Sequence, residues 1–294
     1  MQVKLLLVTL PFVLLIFVIH YLPLLGWSFA FVDYMPGTSV LKQPFTGFKH
    51  FQEIFAAGSD FPIVIRNTLV TGFLGIVVSP VPIIFAIMLS QVKSGRFSRT
   101  VQTVTSIPNF VSWILVYSIF FIFFAVDDGV VNRILLALHI VNEPTNMLGN
   151  NAIAWYFQVF VGLWKITGWN AIIYIAAMAG IDPELYSAAD VDGANRIRKI
   201  LHVTIPGITP TYIVMLLLAF ANILSNNFDQ FYVFQNPIVM DKLEVFDTYI
   251  YRMGILNSQF SFATAMGCFK SVVSLILLMF ANTLSKALRG NSII

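Results

Sequence analysis

Six long apolar segments constrain the fold of this chain more than any other feature. Each is at least as long as the roughly 20 residues that a helix needs to cross the hydrocarbon core of a bilayer. Unpaired backbone polar groups are costly in lipid, so each segment is expected to be helical. The expected spans are Leu5–Phe31, Val64–Gln91, Val101–Val126, Ala152–Ile181, Ile208–Val233 and Phe260–Leu284. They predict an all-α integral membrane protein with six transmembrane helices in one domain, residues 1–294.

Composition supports a membrane protein. Of the 294 residues, 58% are hydrophobic and only 11% are charged, whereas soluble domains usually carry about 25% charged residues. The 17 basic and 14 acidic residues are too evenly balanced to suggest a nucleic-acid partner. A single cysteine, Cys268, excludes a disulfide within the chain.

Basic residues set the expected orientation. The first segment is too long for a secretory signal and lacks a small-residue cleavage site, so we expect a retained helix. If its start is inside, the cytoplasmic pieces carry Lys4, Lys93, Arg96, Arg99, Arg196, Arg198, Lys199, Lys286 and Arg289. Positive charge prefers the cytoplasmic side. Both termini are therefore predicted to be cytoplasmic.

Two external segments are expected to contain short helices. In residues 46–55, "TGFKHFQEIF", the side chains of Phe48, Phe51 and Phe55 fall on one helical face, a pattern typical of a helix lying on the membrane surface. Residues 127–141 are predicted to form a turn followed by a short amphipathic helix.

The polar loop at residues 182–206, "DPELYSAADVDGANRIRKILHVTIP", stands between two apolar segments. Asp182 can cap a helix Pro183–Val191. Asp192-Gly193 is a turn signal, and a second helix is expected over Ala194–Val203, with Pro206 ending the loop. Two interpretations stay open on these residues alone: a well-capped loop between helices, or an element that docks on a partner.

The same loop resembles a family motif. Ser187-Ala188-Ala189, then Gly193, then Val203-Thr204-Ile205-Pro206 match the spacing of Glu-Ala-Ala, Gly and Ile-x-Leu-Pro in permease subunits of binding-protein-dependent ABC importers. Asp192-Gly193-Ala194 resembles the "DGA" common in carbohydrate importers. Ser187 replaces the glutamate of the motif, and Glu184 lies one turn earlier on the same helical face.

The resemblance extends over nearly the whole chain. Stretches such as "YLPLLGWSFAFVDY", "RNTLVTGF" and "WKITGWNAIIYIAAMAGIDPELY" are similar to the maltose-type subgroup for oligosaccharides derived from complex polysaccharides. That resemblance implies a type I importer permease fold and a coupling helix that docks on a cytoplasmic ATPase. The implied ATPase-coupling residues are Glu184, Ser187, Ala188, Ala189, Asp192, Gly193, Ala194, Arg196 and Pro206.

The resemblance also implies partners. They are a second homologous permease (a heterodimer, with a homodimer as the alternative), two cytoplasmic ATPase subunits and an external solute-binding protein. ATP and Mg²⁺ are used by the ATPase subunits, because this chain has no Walker sequence; no cofactor, metal site or catalytic residue is expected here. The implied location is the prokaryotic cytoplasmic membrane, in contact with its lipid, and the implied solute is an oligosaccharide, with another small polar solute as the alternative.

Polar residues inside the expected spans are candidates for the translocation pathway. Asn109, Trp113 and Tyr117 share a helical stripe in the third span, and Asn222, Asn226 and Asp229 share one in the fifth. The full set of candidates is Asn109, Trp113, Lys165, Trp169, Asn170, Asn222, Asn226, Asp229 and Lys270. The alternative is that these residues bond neighbouring helices or mark the membrane interface.

Lys165 and Lys270 lie near the middle of their spans, where an unpaired lysine is costly. Asp229 is the acid nearest to a span, so at most one lysine can pair with it. We expect at least one of them to face the aqueous cavity or the partner permease. The alternative is bonding to backbone carbonyls or asparagine side chains.

Other protein classes fit less well. An ion-coupled secondary transporter normally needs carboxylates within the membrane, and Asp229 stands nearly alone. A membrane enzyme needs clustered chemistry, whereas the four histidines are scattered; they are His20, His50, His139 and His202. A structural scaffold does not explain the elaborate polar loop.

Overall fold

A computed structural model describes residues 2–39 and 43–289, with side chains described for residues 8–39 and 43–286. The side chains of Lys4 and Arg289, two of the residues behind the predicted orientation, lie outside that description. The described residues form helices joined by loops, with one isolated antiparallel bridge between Val32 and Phe45. The prediction of an all-α protein is confirmed.

The α-helices are α1 (Gln2–Ile16), α2 (Lys49–Ile54), α3 (Phe61–Val78), α4 (Val81–Ser90), α5 (Gly95–Ser106), α6 (Trp113–Phe124), α7 (Val130–Ala137), α8 (Ala154–Ala179), α9 (Pro183–Val191), α10 (Arg196–Lys199), α11 (Ile205–Ala221), α12 (Phe228–Phe234), α13 (Met240–Leu243), α14 (Phe246–Tyr251) and α15 (Phe260–Arg289). Wider π-helical turns occupy Phe17–Tyr21, Ile200–Thr204 and Arg252–Leu256. Tighter 3₁₀ segments occupy Leu22–Phe31 and Ile107–Phe110.

The apolar helices agree with the predicted number of spans. Among the described residues, the continuous helices long and apolar enough to cross a membrane are Val8–Phe31, Phe61–Ser90, Ala154–Ala179, Arg196–Ala221 and Phe260–Lys286. A sixth span is formed if the bent pair Gly95–Phe110 and Trp113–Phe124 counts as one. The apolar window of the first span contains no buried residue, as expected for a surface in contact with lipid.

The third span is broken, and the expectation of one helix over Val101–Val126 is wrong. Its two parts meet at an angle of 105°. Pro108 has no N–H to continue the helical bonding. Ser112 then caps the next helix by accepting a hydrogen bond from the Leu115 amide at 3.5 Å. Asn109 and Trp113 therefore lie on opposite sides of a bend rather than on one helical stripe.

The fifth span is shifted toward the N-terminus of the chain relative to the expected bounds, Ile208–Val233. Its helix begins at Arg196 and ends at Ala221, so the expected end of the polar loop at Pro206 is wrong. The ring of a proline clashes with the carbonyl four residues before it, and the π-helical turn Ile200–Thr204 lies immediately before Ile205 and Pro206. The wider turn accommodates the proline without ending the helix.

The far end of that helix is set by Asn222. Its side-chain amide donates to the Leu218 carbonyl at 2.9 Å, while its backbone leaves the helical conformation. Asn227 then caps the short helix α12 by accepting from the Gln230 amide at 3.4 Å. Asn222, Asn226 and Asp229 are consequently not on one continuous helix.

The described contacts divide into two compact units, Met1–Pro62 with Asp247–Val273, and Ile63–Phe246 with Ser274–Ile294. In the first, Ala30, Ala265 and Cys268 form a small core. In the second, the main core contains Trp113, Val116, Phe120, Ala154, Val161, Phe231, Phe234, Val239, Leu243 and Val245. The assignment of one permease domain to residues 1–294 stays a prediction.

Both predicted short helices are present, as α2 and α7. In the first unit, α2 leaves Phe48 and Phe55 largely exposed, and the Phe51 ring packs on Phe31 at 5.5 Å between centroids. In the second unit, the α7 residue Asn132 is buried and donates to the backbone carbonyls of Ala125 and Thr145. These bonds hold α7 to the loops on either side of it.

Candidate functional site

The polar loop begins with a helix that has the predicted bounds. Asp182 accepts a hydrogen bond from the Glu184 amide at 2.9 Å, and Pro183 occupies the first turn of α9. After the helix, Gly193 has a φ of +69°, a conformation that glycine adopts without strain. Within α9, no residue is buried. The helix therefore has a capped N-terminus, ends at a glycine turn, and exposes its surface to a partner.

Two contacts attach this helix to the fifth span. The hydroxyls of Tyr186 and Thr204 lie 2.9 Å apart, and the Thr204 side chain is buried. Lys199 forms an ion pair with Asp190. Both contacts join α9 to the first turns of the fifth span. A displacement of α9 must therefore pull on that span.

A separate contact joins the fifth span to the second. The Arg196 guanidinium donates from Nε to the Gln91 side-chain oxygen and from Nη2 to the Gln91 carbonyl, each at 2.6 Å. Gln91 caps the C-terminus of α4. A fork of two donors fixes orientation better than one bond. Arg196 thus links the start of the fifth span to the end of the second.

The remaining residues predicted for the loop lie on its surface. Ser187 donates to the Pro183 carbonyl at 3.2 Å, within its own helix. Glu184, Ala188 and Asp192 are exposed, whereas Ala189 and Ala194 are half-buried. Two large apolar side chains, Leu185 and Val191, are also exposed there. Their pattern of small and apolar exposed side chains is typical of a protein-docking surface.

Lys165 serves as a clamp on the broken third span. Its Nζ donates to the carbonyl oxygens of Pro108 at 2.9 Å, Asn109 at 3.0 Å and Val111 at 2.6 Å. The same Nζ lies 5.1 Å from the centroid of the Trp113 ring. The residue is only 6% exposed. The structure therefore shows this lysine bonded to backbone carbonyls, which is one of the alternatives predicted for it.

Lys270 has a partner that was not predicted from the sequence. Its Nζ lies 2.5 Å from Oδ1 of Asp247, and both side chains are mostly buried. Asp247 lies before the apolar segment of the sixth span, so hydropathy does not mark it as a partner for a lysine inside that span. Asp229, regarded as the acid closest to a span, is exposed in α12. The charge of Lys270 is therefore balanced within its own compact unit.

Removing one member of this pair is expected to cost about 1–2 kcal/mol of stability, below the cost at a fully buried pair, because both side chains keep some exposure. Lys270→Met and Asp247→Asn should each lower the thermal unfolding temperature of the purified complex, and the double variant should recover more than half of the larger loss. Additive losses in the double variant would show that the pair is not coupled.

A cavity of about 280 Å³ lies within the second unit, between α3, α4, α8, α11 and α12. Its polar lining residues are Thr71, Ser79, Gln158, Asn170, Tyr174, Tyr212, Asn226 and Gln230. Amide and phenol groups of this kind suit sugars, whose hydroxyls both donate and accept. Of the predicted pathway residues, only Asn170 and Asn226 line it.

The cavity wall is held by hydrogen bonds between helices. Asn226 donates from Nδ2 to the Thr71 hydroxyl at 2.7 Å. Gln230 donates from Nε2 to the Gln158 carbonyl at 2.8 Å and to the Gln158 side-chain oxygen at 3.0 Å. The hydroxyls of Ser79 and Tyr212 lie 3.2 Å apart. The wall is thus built from residues far apart in the chain.

The other predicted pathway residues lie elsewhere. Trp169 is 44% exposed and contacts Phe110 edge to face, while Trp113 is buried in the main core. Asn109 accepts a hydrogen bond from Lys165 through its backbone carbonyl. Asn222 and Asp229 are exposed. Their role in transport stays a prediction.

Sequence reasoning missed several lining residues of the cavity. Gln158, Tyr174, Tyr212 and Gln230 lie within the expected spans but are not among the candidates selected from the sequence. An amide side chain in an otherwise apolar helix, such as Gln158 in α8, is the sequence feature that could have identified them. What could not be known was which amides face each other.

Comparison with known proteins places this architecture in a family. Residues 78–290 match the model of the binding-protein-dependent transport system inner membrane component. Protein LplB of Bacillus subtilis (strain 168) is 39% identical over 283 residues, covering 95% of this chain and 87% of that protein. The polygalacturonan/rhamnogalacturonan transport system permease protein YteP of the same strain is 37% identical, covering 97% and 88%.

A solved structure has the same fold. The crystal structure of a bacterial alginate ABC transporter in complex with alginate pentasaccharide-bound periplasmic protein contains a chain that superposes with a TM-score of 0.89. The two chains are 30% identical, and the match covers 99% of this chain and 96% of that one. A family model that covers most of the chain and relatives that cover nearly all of it agree. This multi-pass membrane protein belongs to the family of binding-protein-dependent transport system inner membrane components.

Proposed function

We propose that this chain is the membrane-spanning permease subunit of an ATP-driven, binding-protein-dependent importer of oligosaccharides. It forms half of the translocation pathway in a prokaryotic cytoplasmic membrane, with both termini in the cytoplasm. The names of its relatives, which refer to polygalacturonan, rhamnogalacturonan and alginate, support a sugar as the solute. The amide-lined cavity between α3, α4, α8, α11 and α12 is the part of the pathway that this chain contributes.

The observation that carries this proposal is the exposed helix α9 and its attachment to the spans. Import driven by a separate ATPase needs a stiff element that receives a displacement and passes it into the membrane. The cap at Asp182, the Tyr186–Thr204 contact and the Arg196–Gln91 fork supply that stiffness at three places. Exposed Leu185 and Val191 supply an apolar surface that an ATPase groove can cover.

The partners follow from the mechanism. Two ATPase subunits bind and hydrolyse ATP with Mg²⁺, one under each permease, and the second permease is a homologous chain that completes the pathway. A solute-binding protein delivers the sugar from outside. In this assignment the chain itself holds no nucleotide and carries out no hydrolysis, and its contribution is to convert closure of the ATPase dimer into movement of helices.

Cross-linking from α9 tests the proposal. Ala188 is exposed on α9, so an Ala188→Cys variant, with Cys268 replaced by serine, should cross-link to an ATPase subunit through a short bifunctional reagent. The yield should change when ATP closes the ATPase dimer. The measurement is the appearance of a permease–ATPase band in the assembled complex.

The matched control is Val130→Cys in the same background, since Val130 is also exposed but starts the helix predicted to be external. It should give no ATPase band and should react with a membrane-impermeant thiol reagent from outside. Labelling of Ala188→Cys from outside, or uptake that needs an ion gradient and no ATPase, would refute the assignment.

A further inference from the structure

Two cations share one indole ring near the N-terminal ends of α3 and α8, which are predicted to be external. The Lys242 Nζ atom lies 4.0 Å from the centroid of the Trp155 ring, and the Arg66 Cζ atom lies 5.5 Å from it. The Trp155 Nε1 atom donates to the Lys242 carbonyl at 2.8 Å, which orients the ring. An aromatic ring attracts a cation placed over it, so one indole holds two like charges near each other.

Neutral acceptors position the Arg66 guanidinium. Its Nε and Nη2 atoms donate to the Asn67 side-chain oxygen at 3.2 and 3.1 Å, and Nη2 also donates to the Asp241 carbonyl at 2.8 Å. Asn67 is buried and donates to the carbonyls of Asp241 and Glu244, each at 2.9 Å. These bonds hold α13 against α3 and leave the charge of Arg66 uncompensated.

Both cations keep donors that are available to a ligand. Within the described part of the chain, neither Arg66 nor Lys242 forms an ion pair, and the Arg66 Nη1 and Lys242 Nζ atoms donate no hydrogen bond. Arg66 is exposed and Lys242 is half-buried, so solvent reaches both. Neighbouring cations without an acid attract an anion, and carboxylates form strong hydrogen bonds with guanidinium and ammonium groups.

The two cations lie beside the proposed pathway. Asn67 precedes Thr71 by four residues on α3, and Trp155 precedes Val159 by four residues on α8. Residues four apart share one face of a helix, and both Thr71 and Val159 line the cavity between the spans. The cations therefore lie about one helical turn beyond that cavity, at its predicted external end.

We infer that Arg66 and Lys242 bind a carboxylate of an incoming acidic oligosaccharide, such as one built of uronates, and thereby select acidic over neutral sugars at the entrance of the pathway. The inference rests on the proposed function and names the substrate class. A carboxylate only accepts hydrogen bonds, which matches two groups that only donate. Trp155 is a positioning residue, because its ring holds both cations.

The location favours a passing solute over a fixed acid of the binding protein. An acidic side chain that only docks the binding protein could pair with cations anywhere on the external surface. Arg66 and Lys242 instead gather at Trp155 and Asn67, which continue the cavity-lining faces of α8 and α3. A sugar that enters the cavity from outside passes that place.

The test compares uptake of a uronate trisaccharide with uptake of its methyl ester, which has nearly the same size and no charge, using the complete complex and its binding protein in proteoliposomes. Lys242→Gln should lower the ratio of acid to ester uptake about fivefold, equivalent to about 1 kcal/mol. Lys242→Glu should lower the ratio further, because it reverses the charge. Lys242→Arg keeps the charge and should keep the wild-type ratio.

The matched control is Lys49→Gln, which removes the same charge from a side chain that is 55% exposed in the first unit and should leave the ratio unchanged. The same binding protein serves every variant, so its own preference cancels when the ratios are compared. An equal fall in the uptake of both sugars by Lys242→Gln would assign the cations to docking of the binding protein and overturn the inference. An unchanged ratio, or a wild-type complex that takes up only the ester, would also overturn it and leave the importer assignment intact. Failure of the wild-type complex to take up either sugar would overturn the proposed function itself, and the inference with it.

Discussion

Replacing Lys165 with methionine is expected to prevent stable assembly of the transporter rather than to alter its selectivity. Methionine has a similar length but cannot donate, so the carbonyls of Pro108, Asn109 and Val111 lose their common donor. The Pro108 carbonyl keeps the Val111 amide as a donor at 3.2 Å, whereas the carbonyls of Asn109 and Val111 lose the lysine donor, at a cost of about 1–3 kcal/mol each. The total loss is therefore expected to be about 2–6 kcal/mol, enough to open the bend of the third span.

The measurement is the amount of assembled complex recovered from membranes and its thermal unfolding temperature. Lys49→Met is the matched control, because the Lys49 side chain is 55% exposed and its contact with Glu53, at 3.9 Å, is a surface ion pair of small energetic value. A Lys165→Met complex that assembles and unfolds like the wild type, yet fails to take up sugar, would instead place this lysine in the translocation pathway.

The polar loop could be predicted from sequence because its structure is determined locally. Asp182, Pro183 and Gly193 act on the backbone within a few residues of their own positions, so caps and turn signals are sufficient to place α9. The start of the fifth span was mispredicted for the same reason. Pro206 predicts the end of the loop, but the π-helical turn before it lets the helix continue, and local rules do not anticipate that adjustment.

The bend in the third span could not be predicted from hydropathy. A window of apolar residues is equally apolar whether the helix runs straight or turns by 105°. The bend requires a donor for the carbonyls that it frees, and that donor is Lys165, more than fifty residues later in the chain. The cavity likewise depends on contacts between residues far apart in the chain, since Asn226 bonds to Thr71, which lies 155 residues earlier. Sequence patterns identify such polar residues as unusual, but the fold decides which of them meet.

Gly168→Ala is expected to disrupt the contact between α8 and the third span. Gly168 lies one turn after Lys165 on α8, and an added Cβ would lie 2.2 Å from the Thr105 carbonyl oxygen and 2.7 Å from the Ser106 nitrogen. Both are backbone atoms of α5, so no side chain can rotate away, and α8 must separate from the third span. Overpacking usually costs about 1–3 kcal/mol and occasionally more; we expect about 3 kcal/mol or more here.

Gly267→Ala is the matched control, because nothing lies within 4 Å of its added Cβ, and alanine favours a helix interior over glycine by about 1 kcal/mol. The Gly267 variant should therefore unfold at the wild-type temperature or above it, and the Gly168 variant far below. Close approach of α8 to the third span brings the Lys165 ammonium within reach of its three carbonyls. If Gly168→Ala separates the two helices, the spectroscopic environment of Trp113, which lies 5.1 Å from that ammonium, should change with it. An unchanged unfolding temperature for Gly168→Ala would mean that the two helices are not in such close contact, and the bend would need another explanation.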